Sequence, residues 1–239
     1  MATSTQTIRD IAAANPASVR VFEKYGIDYC CGGRVPLSEA CEAKGLSLNE
    51  VLASVQAAER PLSPDDKDWR RESLFALCTH IVVTHHAYVM QESPRLNQLA
   101  ARVVSRHGAT RAELPIIQSK LAELTEELVT HLGKEEVVLF PYIWKLEQHT
   151  SENSAPPRGC FGTIEQPINM MTQDHDYAGK LIAEIRALSQ DFTPPPGACP
   201  TFLAFYSGLH EFEQDLHQHI HLENNILFPR AISLEASHV

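Results

Sequence analysis

No stretch of eighteen consecutive apolar residues occurs in this chain, so no segment has the length to cross a bilayer as a helix. A basic surplus is missing too. Lysine and arginine number 20 against 30 aspartates and glutamates, a formal net charge of −10. Nucleic acid and anionic membrane surfaces both attract a Lys/Arg excess, so neither is expected as a partner. The opening residues, MATSTQTIRDIAAANP, lack the charged-then-apolar pattern of a secretory leader. Cysteine is sparse, six in 239 residues, and without a leader these read as cytoplasmic thiols rather than a disulfide framework. Ordinary proportions remain, 44% hydrophobic and 21% charged, in a chain long enough for one large domain and a small one. Histidine is abundant by contrast: twelve are present.

Some of those histidines are placed by a repeat. HLGKEEVVLFP at 131–141 and HIHLENNILFP at 219–229 lie 88 positions apart. Each begins with a histidine, carries a glutamate at +4 and closes on Phe-Pro. On a helix, positions i and i+4 share a face. Stepping at helical spacing gives Leu124, Leu128, His131, Glu135, Val138 in one copy and Phe212, Leu216, His219, Glu223, Ile226 in the other. Both pairs therefore belong to the apolar stripe that faces a core. A buried carboxylate needs an ion pair, a raised pKa or a metal. The repeat extends further, since His86 precedes His131 by 45 positions and His175 precedes His219 by 44, each with a tyrosine at +2 (Tyr88, Tyr177). Two such hairpins would bring four histidines and two glutamates to one level. That inventory suits two metal ions, with two imidazoles each and both carboxylates bridging. Mixed histidine and carboxylate sites with open positions favour iron.

Along the chain, residues 1–58 read as a small unit of short helices. Asn15-Pro16 is expected to start one helix, and Ser47 with Glu50 to form a capping box ahead of another. Residues 59–68 read as a polar linker. From 69 to 239 four long helices are expected, at about 69–92, 112–146, 167–190 and 200–231. The first connection starts at ESPRLN, residues 92–97, with 95–106 open to being helical again; the others are SENSAPPRGCFG at 151–162 and DFTPPPGACP at 191–200. Strand signal is scarce, so the fold class is all-α and the architecture a four-helix bundle.

A single core histidine is more often hydrogen-bonded than ligating, but that account must also explain a matched repeat. A zincin is not expected, because neither copy carries H-E-x-x-H. His217 and His221 form a competing i, i+4 pair, yet their counterparts are Val129 and Gly133, and their face runs through His210, Gln214 and Asn224. They read as surface residues or supports behind the ligands. His80 and His85 fall at the wrong angle relative to His86, and His149 and His238 in loop or tail. His107 is a candidate for lining an access route.

His86, His131-x-x-x-Glu135, His175 and His219-x-x-x-Glu223 on four helices together resemble the hemerythrin-like fold. DYCCGG at 28–33 is similar to the N-terminal signature of one branch, the di-iron repair proteins for iron–sulfur clusters, and HIHLENNILFP and DFTPPPGAC are similar to that branch as well. The resemblance covers nearly the whole chain. It implies a hemerythrin-like four-helix bundle behind a small helical N-terminal domain. It also implies an oxo- and carboxylate-bridged di-iron centre and a cytoplasmic role in nitrosative or oxidative stress. Implied partners are nitric oxide or another diatomic ligand and iron–sulfur client proteins; a homodimer stays open. Oxygen-carrying hemerythrins use five histidines, whereas the repeat here supplies four. Three roles stay open: catalytic turnover of nitric oxide with cluster repair, stoichiometric binding of the gas, and iron donation.

Cys30 and Cys31 are the second candidate site. Adjacent cysteines form only a strained disulfide, so a thiol role is expected, as nucleophile or soft-metal ligand beside Gly32 and Gly33. The alternative is two small buried residues at a helix end. Cys41, Cys78, Cys160 and Cys199 follow no pattern.

Overall fold

The computed structural model describes residues 2–58, 67–152, 159 and 161–237. Most of the expected linker, much of the 151–162 connection, Cys160 and His238 lie outside the described residues. Among the described residues every regular element is helical, and none is long and apolar enough to cross a membrane. The N-terminal unit holds α1 (Ile8–Ala14), α2 (Ser18–Lys24), α3 (Leu37–Ala43) and α4 (Leu48–Ala58). Thr7 caps α1 through its side chain, which accepts from the Asp10 N–H. Ser47 does the same for Glu50 at the start of α4. Asn15 accepts from the Ala17 N–H and shapes the turn between α1 and α2, one step ahead of the helix itself.

Four helical rods follow. The first runs through α5 (Leu74–Ile81), a π-helical segment at Val82–His86 and α6 (Ala87–His107). The sequence suggests a break near residue 92 with helix open again over 95–106; that second stretch is helical, and the helix runs unbroken through Pro94. Its apolar face, Val89, Leu96, Ala100 and Val103, is buried on both sides of the proline, and that burial outweighs the lost backbone hydrogen bond. The second rod is α7 (Glu113–Lys134), a π segment at Glu135–Leu139 and α8 (Phe140–Glu152). The third is α9 (Glu165–Leu188). The fourth is α10 (Pro200–Leu222), a π segment at Glu223–Leu227 and α11 (Phe228–Ala236). α6 packs on α7 and α10, and α7 packs on α9.

Two of the π segments run straight into the Phe-Pro that closes each repeat. A proline inside a helix lacks its N–H and clashes with the carbonyl four residues back. The wider π turn accommodates both defects at Pro141 and Pro229. It also shifts the register by one. Val138, expected on the buried stripe, is 41% exposed, and Leu139 takes its place at 1%.

The core falls into two apolar clusters. One joins the N-terminal unit (Phe22, Tyr29, Leu37) to Leu96, Leu128, Leu132, Ile182, Phe212 and Ile220 of the bundle. The other holds Leu77, Ile81, Leu139, Phe140, Met171 and Leu227. A buried polar layer lies between them.

Candidate metal centre

That layer consists of the six residues singled out by the repeat. His86 ends the first π segment, and Glu135 and Glu223 open the second and third. His131, His175 and His219 project from α7, α9 and α10. All six are buried, none more than 2% exposed. Their ligand atoms fall into two sets, each within 4.8 Å: His86, Glu135, His219, Glu223, and His131, Glu135, His175, Glu223. Both carboxylates belong to both sets. The histidines pair between hairpins, His86 with His219 and His131 with His175, so neither hairpin completes a set alone.

Hydrogen bonding from outside fixes what the rings offer inside. His86 Nδ1 lies 2.8 Å from Glu136 Oε1, and His131 Nδ1 lies 3.3 Å from Asp174 Oδ2. An ionised carboxylate only accepts, so each neutral ring donates from Nδ1 and turns its Nε2 lone pair inward. His175 Nδ1 is 3.0 Å from the Asn224 amide oxygen. Inside, acceptors therefore meet acceptors. His131 Nε2 and His175 Nε2 are 3.1 Å apart, and His86 Nε2 is 3.4 Å from Glu135 Oε2. His86 Nε2, both oxygens of Glu135 and Glu223 Oε2 are buried without a hydrogen-bond partner. Such a knot requires positive charge.

Protons or metal ions can supply it. Burial lowers the pKa of His175, but a proton on its Nε2 would be held by the bond and charge of the Glu223 carboxylate 3.1 Å away, which outweighs burial and raises that pKa to about 9. His86 is likewise raised by Glu135 and Glu223 against the effect of burial. Burial opposes ionisation of Glu223, yet His219 and His175 hold its carboxyl well below the usual range. A metal-free cluster thus takes up protons that an entering cation displaces. Nitrogen and oxygen donors in this mixture suit iron, manganese or zinc.

Residues 78–231 match the hemerythrin HHE cation-binding domain, and residues 4–59 match a domain of unknown function, DUF542. The chain is 36% identical over 237 residues to a probable iron–sulfur cluster repair protein of Haemophilus influenzae, covering 98% of this chain and 99% of that one. It is 38% identical to the iron–sulfur cluster repair protein YtfE of Escherichia coli O81 and of an Enterobacter species, covering 98% of this chain and all of each relative. The chain belongs to the hemerythrin-like iron–sulfur cluster repair family. In this family member the hemerythrin match spans all six buried donors, and the DUF542 match spans the Cys30–Cys31 loop.

The other titratable candidates take different places. His85 is buried beside His86, bonds Asp215 at 2.8 Å and stacks parallel to His219 with ring centroids 5.6 Å apart. His221 is not on the surface. It is buried, packs edge-on to Tyr29 of the N-terminal unit and bonds Asn225 Nδ2 at 2.8 Å; burial lowers its pKa to about 4. His217 meets the same ring. His107 lies 21 residues beyond His86 along one rod, roughly 30 Å at 1.5 Å per residue, and contacts Cys199 and Phe202. It does not line access to the donor layer. Tyr88 packs on Phe212 and Tyr177 reaches Glu123, so neither repeated tyrosine faces the donors.

Cys30 is buried and Cys31 half-buried, not exposed as a reactive thiolate would be. The hydrogen bond with Cys31, together with burial, pushes the Cys30 thiol well above its ordinary range. Their loop is organised by Asp28, whose carboxylate accepts from the N–H groups of Cys30, Cys31 and Gly32. It sits directly on the donor layer, with Cys31 Sγ 3.8 Å from the His175 carbonyl. Asp28, Cys30 and Cys31 also form a group close enough to share a cation.

Proposed function

We propose that this protein holds two iron ions among His86, His131, Glu135, His175, His219 and Glu223, and acts in the repair of damaged iron–sulfur clusters in client proteins. One observation carries the reading: six buried donors fall into two sets that share both carboxylates. His86 and His219 would hold one ion and His131 and His175 the other, with Glu135 and Glu223 within reach of both, and an ion so held would have capacity left for a small ligand. Two carboxylates and four neutral imidazoles would offset part of the charge of either ferrous or ferric ions, so one ligand set would suit both redox states. Bound iron would supply one-electron chemistry and affinity for nitric oxide or another diatomic gas.

The chain's own residues do the rest. Glu136, Asp174 and Asn224 orient three rings. Leu132, Ile81, Phe140 and Leu227 belong to the apolar clusters on either side and exclude bulk water from the carboxylates. The repair role comes from the relatives named for it, and the cytoplasmic, stress-responsive setting belongs to the same reading. Metal analysis with Mössbauer spectroscopy tests the centre, with two irons per chain and coupled high-spin sites expected. Restoration of an oxidatively damaged iron–sulfur dehydratase by the loaded protein tests the role. A protein purified and reconstituted without dinuclear iron would sink the first claim, and failure to restore the dehydratase the second.

A further inference from the structure

Asn224 faces two ways. Its Oδ1 is 3.0 Å from His175 Nδ1, and its Nδ2 is 3.3 Å from the backbone carbonyl of Cys30. A carbonyl only accepts, so the amide must turn its NH2 to the Cys30–Cys31 loop and its oxygen to His175. The ring then donates from Nδ1, which leaves the Nε2 lone pair for the metal position. The loop therefore sets the tautomer of a ligand. Position 136, related to 224 by the repeat, holds a glutamate that supports His86 by accepting alone. An asparagine is required only where the residue must also donate outward. Two more contacts seat the loop at this end: the Cys31 thiol on the His175 carbonyl, and Asn225 Nδ2 on the Tyr29 carbonyl at 2.9 Å.

We propose that Asn224 is a positioning residue that couples seating of the Cys30–Cys31 loop to the hold on the metal between His131 and His175. The inference rests on the dinuclear reading above. Coupling is reciprocal: bound metal steadies the loop, and a displaced loop loosens the metal. Removing a partner from behind a ligating imidazole typically weakens metal binding about 10–100-fold.

The test uses the full chain loaded anaerobically with Fe(II). Release to an excess of ferrous chelator is followed by stopped flow, and alkylation of Cys31 by iodoacetamide is mapped by mass spectrometry with and without metal. The wild-type protein should release iron in two phases and alkylate severalfold faster when metal-free. Asn224→Leu should accelerate one of the two phases about tenfold or more, leave the other in place, and make Cys31 equally reactive in both states. Asn224→Asp keeps an acceptor behind His175 but loses the donor to Cys30. It should hold iron as the wild type does while Cys31 no longer senses the metal. A single release phase untouched by Asn224→Leu, equal acceleration of both irons, or wild-type Cys31 reactivity indifferent to metal overturns the coupling. A wild-type chain that binds no iron pair overturns the dinuclear reading and the coupling with it.

Discussion

Glu136 follows one candidate ligand in the chain and supports another in space, and the pattern recurs. Glu136, next to Glu135, bonds His86; Asn224, next to Glu223, bonds His175. The residues just before the first histidine of each hairpin cross over instead. Asp174 bonds His131, while His85 stacks on His219 and leaves the Nδ1 of that ring without a partner. The shared carboxylates make the donors unequal. Glu135→Ala removes a donor from both sets and should abolish binding of both metals, whereas His86→Ala damages one set and should retain half of the wild-type metal, read as metal per chain by mass spectrometry. Equal losses would contradict the sharing. His85 has a structural duty of its own. Asp215 Oδ2 is already buried without a partner, and His85→Phe would strip Oδ1 as well. That should cost about 1–3 kcal/mol in urea unfolding. Adding Asp215→Leu should restore most of it, because removing both partners spares the desolvation penalty.

The helices carry the same lesson at longer range. The apolar spacing around both repeats places four rods and six inward donors, and all four rods form. What periodicity misses is the three π segments, because an extra residue in one turn leaves the pattern on either side intact. Val138 and Leu139 are both apolar, and only the turn decides which one is buried. The supports were written beside the ligands, as polar residues at 136 and 224 of the repeat, but their targets lie on other helices. Close approach between helices is similarly invisible until glycines are placed. A Cβ at Gly133 meets nothing within 4 Å, so Gly133→Ala in the middle of the second rod should stabilise the fold by about 0.5–1 kcal/mol. A Cβ at Gly208 would stand 2.7 Å from Leu96 Cδ2 and 2.9 Å from Arg95 Nη2, where α10 presses on α6. Gly208→Val should cost about 1–3 kcal/mol by overpacking. Thermal unfolding of the two variants must move in opposite directions; a shared direction would contradict the packing.

Taken together, the apolar clusters and the layer between them make metal and stability one question. The donor layer interrupts the core with two carboxylates and four imidazoles, and the N-terminal unit closes over it by packing Tyr29 against His221 and hydrogen-bonding its loop to Asn224 and Asn225. That docking was hidden in the sequence because His217 and His221 look like a solvated face when only their own helix is considered. Ions that bind the folded layer and not the unfolded chain stabilise the fold by about 4 kcal/mol at a thousandfold excess over Kd. In a chain of this size each kcal/mol moves the midpoint by roughly 2–4 °C, so chelation should lower Tm by on the order of 10 °C. The loss should be local before it is global. Amides of Glu135–Leu139, Glu223–Leu227 and the Cys30–Cys31 loop should exchange faster in the metal-free protein, while those beside Leu114, Ile117 and Phe205, at the other end of the bundle, keep their protection. Calorimetry and hydrogen exchange on loaded and chelated protein check both, with Glu135→Ala as the control in which chelator has nothing to remove. An unchanged Tm, or faster exchange spread evenly over the bundle, would mean that the layer does not depend on cations for its place in the core.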